Sequence, residues 1–300
     1  MYCDTVATVD HAATPCSSKM ASTKLKILVF GAVPDAESSQ VFASKLTTLQ
    51  NGKAGPFDVV FCTGKSDSKS LAAIDLPVPV YLHDSLTKIE VSETKNDEND
   101  ESDDASTPLK VTDKLFVLRS CDYDGGTWSI KPHPRKPEMV VTSCPQNCRV
   151  DSESTKEYLV SKVTHAAYTG CDLLFTHEWP QGIHHCLSGP GVDESLHSFD
   201  AANLAMLARS RYHFAPGTQF LQSTAFAHMA AVTNTVQTHH AGRFITLTNV
   251  RKDPPPTKTT KFVHAIGIVP LQHSTVLELQ QQRPAVVKPC PFTDISYEIV

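Results

Sequence analysis

The sequence predicts an α/β protein in which two β-sheets pack together and helices flank them. Its first part alternates strand and helix patterns, with apolar runs at Lys26–Phe30 and Asp58–Cys62 on either side of a helical segment. The end of the chain contains mostly consecutive strand patterns. A change from βα units to consecutive strands is typical of a two-sheet α/β sandwich.

The first helix and the third strand follow from local signals. Asp35 is placed to cap a helix over Ser38–Leu49, in which Phe42 and Leu46 recur at helical spacing. The short apolar segment Val78–Leu82 is typical of a strand. The chain therefore opens as β-α-β-α-β.

The later elements continue this pattern. Short strands are expected near Lys114–Leu118 and Met139–Thr142, and a helix over Thr155–Tyr168. A strand over Cys171–Thr176 and a helix near Phe199–Arg209 should follow.

The chain predicts one principal domain, residues 24–275. Residues 1–23 are small and polar and are expected to be a disordered tail, and residues 276–300 a linker or tail. An acidic segment at 92–108 interrupts the domain. Its run from Ser92 to Asp104 has no apolar side chain, so burial cannot offset the entropy of ordering it, and we expect a disordered insert.

Composition excludes several classes of protein. The 300 residues are 40% hydrophobic, and no apolar run approaches the ~18 residues of a membrane span, so no membrane partner is expected. A net charge of −5 does not favour a general nucleic-acid binder, although much of the acidity lies in the insert. Nine scattered cysteines without a secretory signal indicate reduced thiols in the cytosol or nucleus.

One segment, Cys171–Ile183, carries the strongest functional signal. An apolar run ends at His177, and the turn Trp179-Pro180-Gln181-Gly182 follows at once. A histidine at the carboxyl end of a strand lies where α/β sheets usually bind ligands.

This pattern resembles the debranching-enzyme branch of the calcineurin-like metallophosphoesterases, and more closely the N-terminal domain of the CwfJ-family (CWF-nineteen-like) splicing factors. The segments Arg209–Ala215, Arg243–Val250 and Phe262–Pro270 resemble that domain in order and spacing. The resemblance covers roughly Lys24 to Pro270. It implies a two-sheet calcineurin-like metallophosphoesterase sandwich in a nuclear protein of the late spliceosome.

Most metal ligands of such phosphoesterases are replaced in this chain. Ala32 stands where the first strand should deliver an Asp/His pair, and Lys65 where an aspartate should bridge two metals. The last pair of histidines is replaced at Pro216 and Thr218, whereas His177 matches a ligand position. One imidazole cannot hold a dinuclear site, which needs several charged ligands. We therefore expect no catalytic residue, no metal site and no cofactor.

The resemblance then implies a pseudoenzyme that works as a binding module and modulates lariat debranching. Its expected partners are the lariat debranching enzyme, spliceosomal proteins and intron lariat RNA.

The candidate binding residues are His177, Trp179, Arg211, Tyr212 and His213, all expected at the former active edge. Core packing is the alternative for Trp179 and Tyr212, and a hydrogen bond that stabilises its own turn for His177. Two other functions remain open. One is a residual phosphodiesterase that uses His177, His83 and Asp84, and the other is a scaffold that contacts only proteins.

Overall fold

The computed structural model describes residues 24–86, 107–118, 126–144, 168–187, 197–228, 239–253 and 257–292. The predicted tail 1–23, the insert 92–108 apart from its last two residues, and the helix predicted over 155–168 apart from Tyr168 lie outside these ranges.

The first sheet has a parallel centre and antiparallel edges. Its strands are β1 (Leu25–Phe30), β2 (Val59–Ser66), β3 (Val80–Ser85), β4 (Leu109–Lys110), β5 (Leu115–Val117) and β14 (Val263–Ile268). Their order in the sheet is β14-β1-β2-β3-β5-β4. The four central strands run parallel, and β14 and β4 each join antiparallel at an edge.

The second sheet is built in the same way. Its strands are β6 (Gly126–Ile130), β7 (Met139–Cys144), β8 (Leu173–Thr176), β11 (Tyr212–Pro216), β12 (Leu221–Gln222) and β13 (Phe244–Leu247). They are ordered β12-β13-β11-β8-β7-β6, with β7, β8, β11 and β13 parallel. A separate small pair joins β9 (Trp179–Pro180) to β10 (His197–Ser198).

Successive side chains of a strand point to opposite faces of its sheet, so the buried apolar side chains form three layers, one between the sheets and one on the outer face of each. Ile27 and Val29 face the second sheet and share one core with Phe175 and Phe214. The residue between them, Leu28, faces the opposite way, as expected for side chains that alternate along a strand. Burying each of these large side chains contributes about 1.5–3 kcal/mol. The predicted two-sheet α/β sandwich is confirmed.

Helices cover the outer faces of both sheets. The helices are α1 (Ala36–Asn51), α2 (Ser68–Ala72), α3 (Phe199–Ala208) and α4 (Val276–Gln281). The predicted cap of α1 is confirmed, because the Asp35 carboxylate accepts a hydrogen bond from the Ser38 amide at 2.7 Å. Phe42 and Leu46 pack from α1 onto the first sheet, and α3 covers the second.

Among the elements not anticipated from the sequence, β6 and α4 add most to the packed domain. Strand β6 pairs with β7 and buries Trp128 and Ile130 between the sheets. Helix α4 lies within 276–300, the range expected to be a linker or tail. Further along the same range, Lys288 forms a β-bridge with Phe226 and Phe292 is buried, so residues up to 292 pack onto the domain.

Candidate functional site

The parallel strands of both sheets end at one side of the molecule, which we call the carboxyl edge. Gly64, in β2, has φ +66°, and an added Cβ would sit 3.2 Å from Ala32, after the neighbouring strand β1, and 3.3 Å from Pro216 of the other sheet. Gly31 lies closer still to the other sheet, because an added Cβ would overlap the carbonyl oxygen of Thr248. The loops expected at a phosphoesterase active site therefore do meet.

Charges of both signs surround His177 at this edge. Burial lowers the pKa of His177, and the positive charge of Lys65 lowers it further, whereas Asp84 and Glu178 raise it. Lys65 lies opposite Asp84 in the β2–β3 pairing. A cation thus lies beside the imidazole that resembles a metal ligand.

Two further histidines lie beneath His177 in the core. His83 and His213 are each 1% exposed, and burial lowers the pKa of each to about 3. The Thr176 hydroxyl donates to the Glu178 carbonyl and therefore accepts a 2.7 Å hydrogen bond from Nε2 of His213. Nδ1 of His83 lies 2.8 Å from the Ser143 hydroxyl. Both imidazoles are consequently neutral members of a buried polar network.

Trp179 has a packing role at the same edge. It is 1% exposed, and its Nε1 donates a 2.8 Å hydrogen bond to the Pro216 carbonyl. Its ring packs edge-on against Phe244, with centroids 5.7 Å apart. Trp179 therefore links the ends of β8 and β11 and has no exposed face on which a base can stack.

The expectation that Arg211 and Tyr212 share the carboxyl edge with His177 is wrong. Tyr212 is the first residue of β11 and pairs with Leu173, the first residue of the parallel strand β8. His177 follows the other end of β8. Arg211 and Tyr212 therefore lie at the opposite side, where these strands begin and which we call the amino edge.

A cavity of about 170 Å³ opens at the amino edge. Its lining, which we call the arginine cavity, consists of Arg211, Tyr212, His240, Ala241, Arg243, Leu279, Gln282, Arg283 and Pro284. Arg211 and Arg243 are neighbours because they directly precede the parallel strands β11 and β13. The Arg243 N–H donates a 3.1 Å hydrogen bond to the Arg211 carbonyl. Helix α4 and the residues after it form the other wall.

Electrostatic effects on nearby histidines reveal the positive character of this region. Burial lowers the pKa of His240 to about 4, and Arg211 and Arg209 contribute in the same direction. Burial also lowers the pKa of His264 to about 4, with Lys261 and Arg243 adding to the effect. Burial is thus the main reason that both imidazoles are neutral, and the nearby cations add to it; His264 lies opposite Val29, nearer the carboxyl edge.

The carboxyl edge does not fit a dinuclear metal centre. Ala32 and Pro216 present apolar side chains at two of the positions where the resemblance implies ligands, and Lys65 presents a cation at a third. In the parts of the chain that the structure describes, no three His, Cys, Asp or Glu side chains are grouped as metal ligands. Hard divalent cations need several oxygen ligands, which these positions do not offer.

Comparison with known proteins adds a relationship in sequence. No protein-family model matches the chain. The CWF19-like protein 1 homolog of Drosophila melanogaster is 26% identical to it over 294 residues. The chain is a relative of the CWF19-like proteins. The alignment covers 90% of this chain and 48% of that relative, so the chain spans about half the length of the curated protein it matches.

The relationship confirms the resemblance to the CwfJ (CWF19-like) family, whereas its metallophosphoesterase component stays a prediction. Among solved structures, "GAP50 the anchor in the inner membrane complex of Plasmodium" covers 81% of each chain at 8% identity, with a TM-score of 0.39. That likeness is too low to carry an argument about this chain. Within the described ranges, no helix has the length and apolar character needed to cross a bilayer.

Of the three arginines that line the cavity, Arg211 was identified from the sequence, whereas Arg243 and Arg283 were missed. A signal for Arg243 was present, because it precedes Phe244-Ile245-Thr246-Leu247 as Arg211 precedes its own strand. Parallel strands begin at the same edge, so both arginines could have been placed together. Arg283 follows a helix that was not predicted.

Proposed function

We propose that this chain is a non-catalytic, metallophosphoesterase-like binding module that acts in pre-mRNA splicing in the nucleus. One observation carries the proposal. The strand ends that would form a phosphoesterase active site converge, yet Ala32, Lys65 and Pro216 stand at its ligand positions. The sequence relationship to a CWF19-like protein supports the splicing context.

Lys65 argues most directly against metal chemistry. Its charge already disfavours protonation of His177. The same charge would disfavour a divalent cation at this position more strongly, because Coulomb repulsion scales with the product of the charges. Substitution by a cation removes a bridging carboxylate and adds repulsion, two changes that act in the same direction.

The alternative of a residual phosphodiesterase would use His177, His83 and Asp84. His83 is buried, and its Nδ1 already faces the Ser143 hydroxyl. A metal-bound water has to reach the phosphate of a substrate. A side chain 1% exposed cannot support that arrangement without rearrangement of the surrounding core. The non-catalytic function is therefore better supported.

For partners, we propose the lariat debranching enzyme and proteins of the late spliceosome, with modulation of lariat debranching as the activity. A protein-only scaffold is the competing form of this proposal. Crosslinking to intron lariats distinguishes the two, since a scaffold of that kind gives no RNA adduct. Recovery of the debranching enzyme with the tagged chain from nuclear extract tests the protein contact.

Catalytic silence is tested with the purified full chain. Metal analysis should find no stoichiometric manganese, iron or zinc, and the protein should leave bis-p-nitrophenyl phosphate and branched RNA intact. The parent and a His177→Ala variant are assayed side by side with added manganese. Metal-dependent turnover in the parent that is lost in His177→Ala would contradict the proposal.

A further inference from the structure

The arginine cavity offers hydrogen-bond donors in a fixed arrangement. Arg211 donates to the Val269 carbonyl at 3.0 Å and to the side-chain oxygen of Gln282. A guanidinium has five N–H donors, so these two bonds orient the group and leave others available. Arg243 and Arg283 line the same space. None of the described residues that line it is acidic.

The nearest acidic groups have other roles. Asp172, which interacts electrostatically with Arg211, accepts hydrogen bonds from the amides of Val140 and Leu271 at 3.0 and 2.9 Å. Glu278 on α4 caps its own helix by accepting from Thr275. Three arginines thus line the cavity, and Asp172, which interacts with Arg211, is buried and hydrogen-bonded to backbone amides. The lining of the cavity therefore carries a net positive charge.

The size of the cavity and its surroundings select the kind of anion. About 170 Å³ is below the ~300–1,000 Å³ of typical small-molecule pockets, so the cavity holds a small anionic group such as a phosphate. Toward the carboxyl ends of the strands, where Leu221 pairs with Thr246, Phe220 lies near a cation and an imidazole. The positive charge of Arg243 contributes to the lowered pKa of His264. The ring centres of His264 and Phe220 lie 5.9 Å apart, and the Lys261 ammonium lies 4.6 Å from the Phe220 ring centre.

We propose that the arginine cavity binds a backbone phosphate of single-stranded RNA, with half-buried Tyr212 at its wall and Phe220 further along as surfaces against which bases pack. Guanidinium forks match phosphate geometry, and aromatic side chains that alternate with cations are the pattern that binds single strands. The inference rests on the proposed binding role and supplies its RNA contact. It uses neither His177 nor the residues at the positions where the resemblance implies metal ligands.

The test measures fluorescence anisotropy of a labelled oligouridylate of about ten nucleotides with the full chain. The double variant Arg243→Glu/Arg283→Glu should weaken binding by roughly tenfold or more and reduce the salt dependence. The double variant Lys131→Glu/Arg135→Glu makes the same change of charge at an exposed turn between β6 and β7, so it is the matched control and should change affinity by less than about twofold. Thermal unfolding establishes that the variants are folded.

Each possible result of this experiment either supports or overturns RNA binding at the arginine cavity. Equal affinity of the folded double variant and the parent would overturn the proposal, as would failure of the parent to bind RNA. A phosphoserine peptide that binds through the same arginines while RNA does not would assign the cavity to a phosphoprotein instead. Tyr212→Leu, which retains apolar packing, should weaken RNA binding about fivefold. Failure of these tests leaves catalytic silence and the debranching-enzyme contact to be judged by their own assays.

Discussion

The two edges of the sandwich differ although the parallel strands of its sheets run from one edge to the other. At the carboxyl edge, Ala32 and Pro216 close around Gly64, and Lys65 lies among Asp84 and Glu178 near His177. At the amino edge, three arginines line a cavity of about 170 Å³. Open α/β sheets usually bind ligands at the carboxyl ends of their strands. Here the groups best suited to an anionic ligand lie at the other end.

The difference teaches that side-chain and backbone contacts are enough to hold the loops of one edge in place. Loops at the carboxyl edge are held by contacts that need no metal, such as the hydrogen bond from Trp179 to Pro216. Function is determined by particular side chains on such a framework. Binding capacity therefore has to be located from the charges and cavities of the whole surface.

The largest expected effect concerns the packing of the carboxyl edge. Trp179→Ala should reduce the free energy of unfolding by about 3–5 kcal/mol, because it empties a buried site and leaves the Pro216 carbonyl without its donor. Trp179→Phe, which keeps most of the ring volume, should lose less. Urea unfolding measures both. A folded, fully stable Trp179→Ala protein would show that this edge is not held by packing.

Acid sensitivity is the next largest effect. The pKa values of His83 and His213 are about 3 in the folded chain, against about 6.5 for an unfolded histidine. As the pH falls below about 6.5, these two histidines bind protons in the unfolded state but stay neutral in the folded state. The free energy of unfolding therefore decreases. Asp172, whose pKa burial raises to about 6, opposes this trend between about pH 6 and 4.

The variant His213→Gln isolates the contribution of one histidine to this pH dependence. His213→Gln should reduce the slope of unfolding free energy against pH by up to about 1.4 kcal/mol per pH unit within this window. Denaturant unfolding at several pH values between about 6.5 and 4 gives the slope. An unchanged slope would mean that His213 is protonated in the folded state, and that the network beneath His177 carries charge.

A smaller effect tests the cation at the former ligand position. Lys65→Met removes the charge and keeps a side chain of similar length, so the pKa of His177 should rise. The exposed Lys69→Met is the control and should leave His177 as it is. NMR titration of the imidazole measures the change. If His177 does not respond to Lys65, the electrostatic part of the argument against a dication fails.

The smallest effect is expected for the acidic insert. Deletion of Ser92–Ser106 should change the thermal midpoint by less than about 2 °C, because a segment whose run from Ser92 to Asp104 has no apolar side chain contributes few buried contacts. Differential scanning calorimetry of the parent and the deletion variant measures the change. A loss of several degrees would show that the segment docks on the domain.

The sequence predicted the framework better than the surface. Apolar runs located β1, β2 and β8, and the cap at Asp35 located α1, because these signals are local. Strand β6 was missed since its glycine, threonine and serine weaken a pattern that Trp128 and Ile130 carry alone. The edge assignment of Arg211 failed for another reason. It depends on strand direction and sheet order, which pairing over long sequence separations determines.

The pairing of β1 with β14 has a consequence for how the chain matures. Leu25 lies opposite Ile268, so the first strand gains this neighbour only after almost the whole domain has been synthesised. Until then, one side of β1 presents unpaired backbone groups, a template for association with other chains. Such distant pairing also slows folding, because a long loop must close before the contact forms. A nascent chain of this kind is a natural client for chaperones during translation.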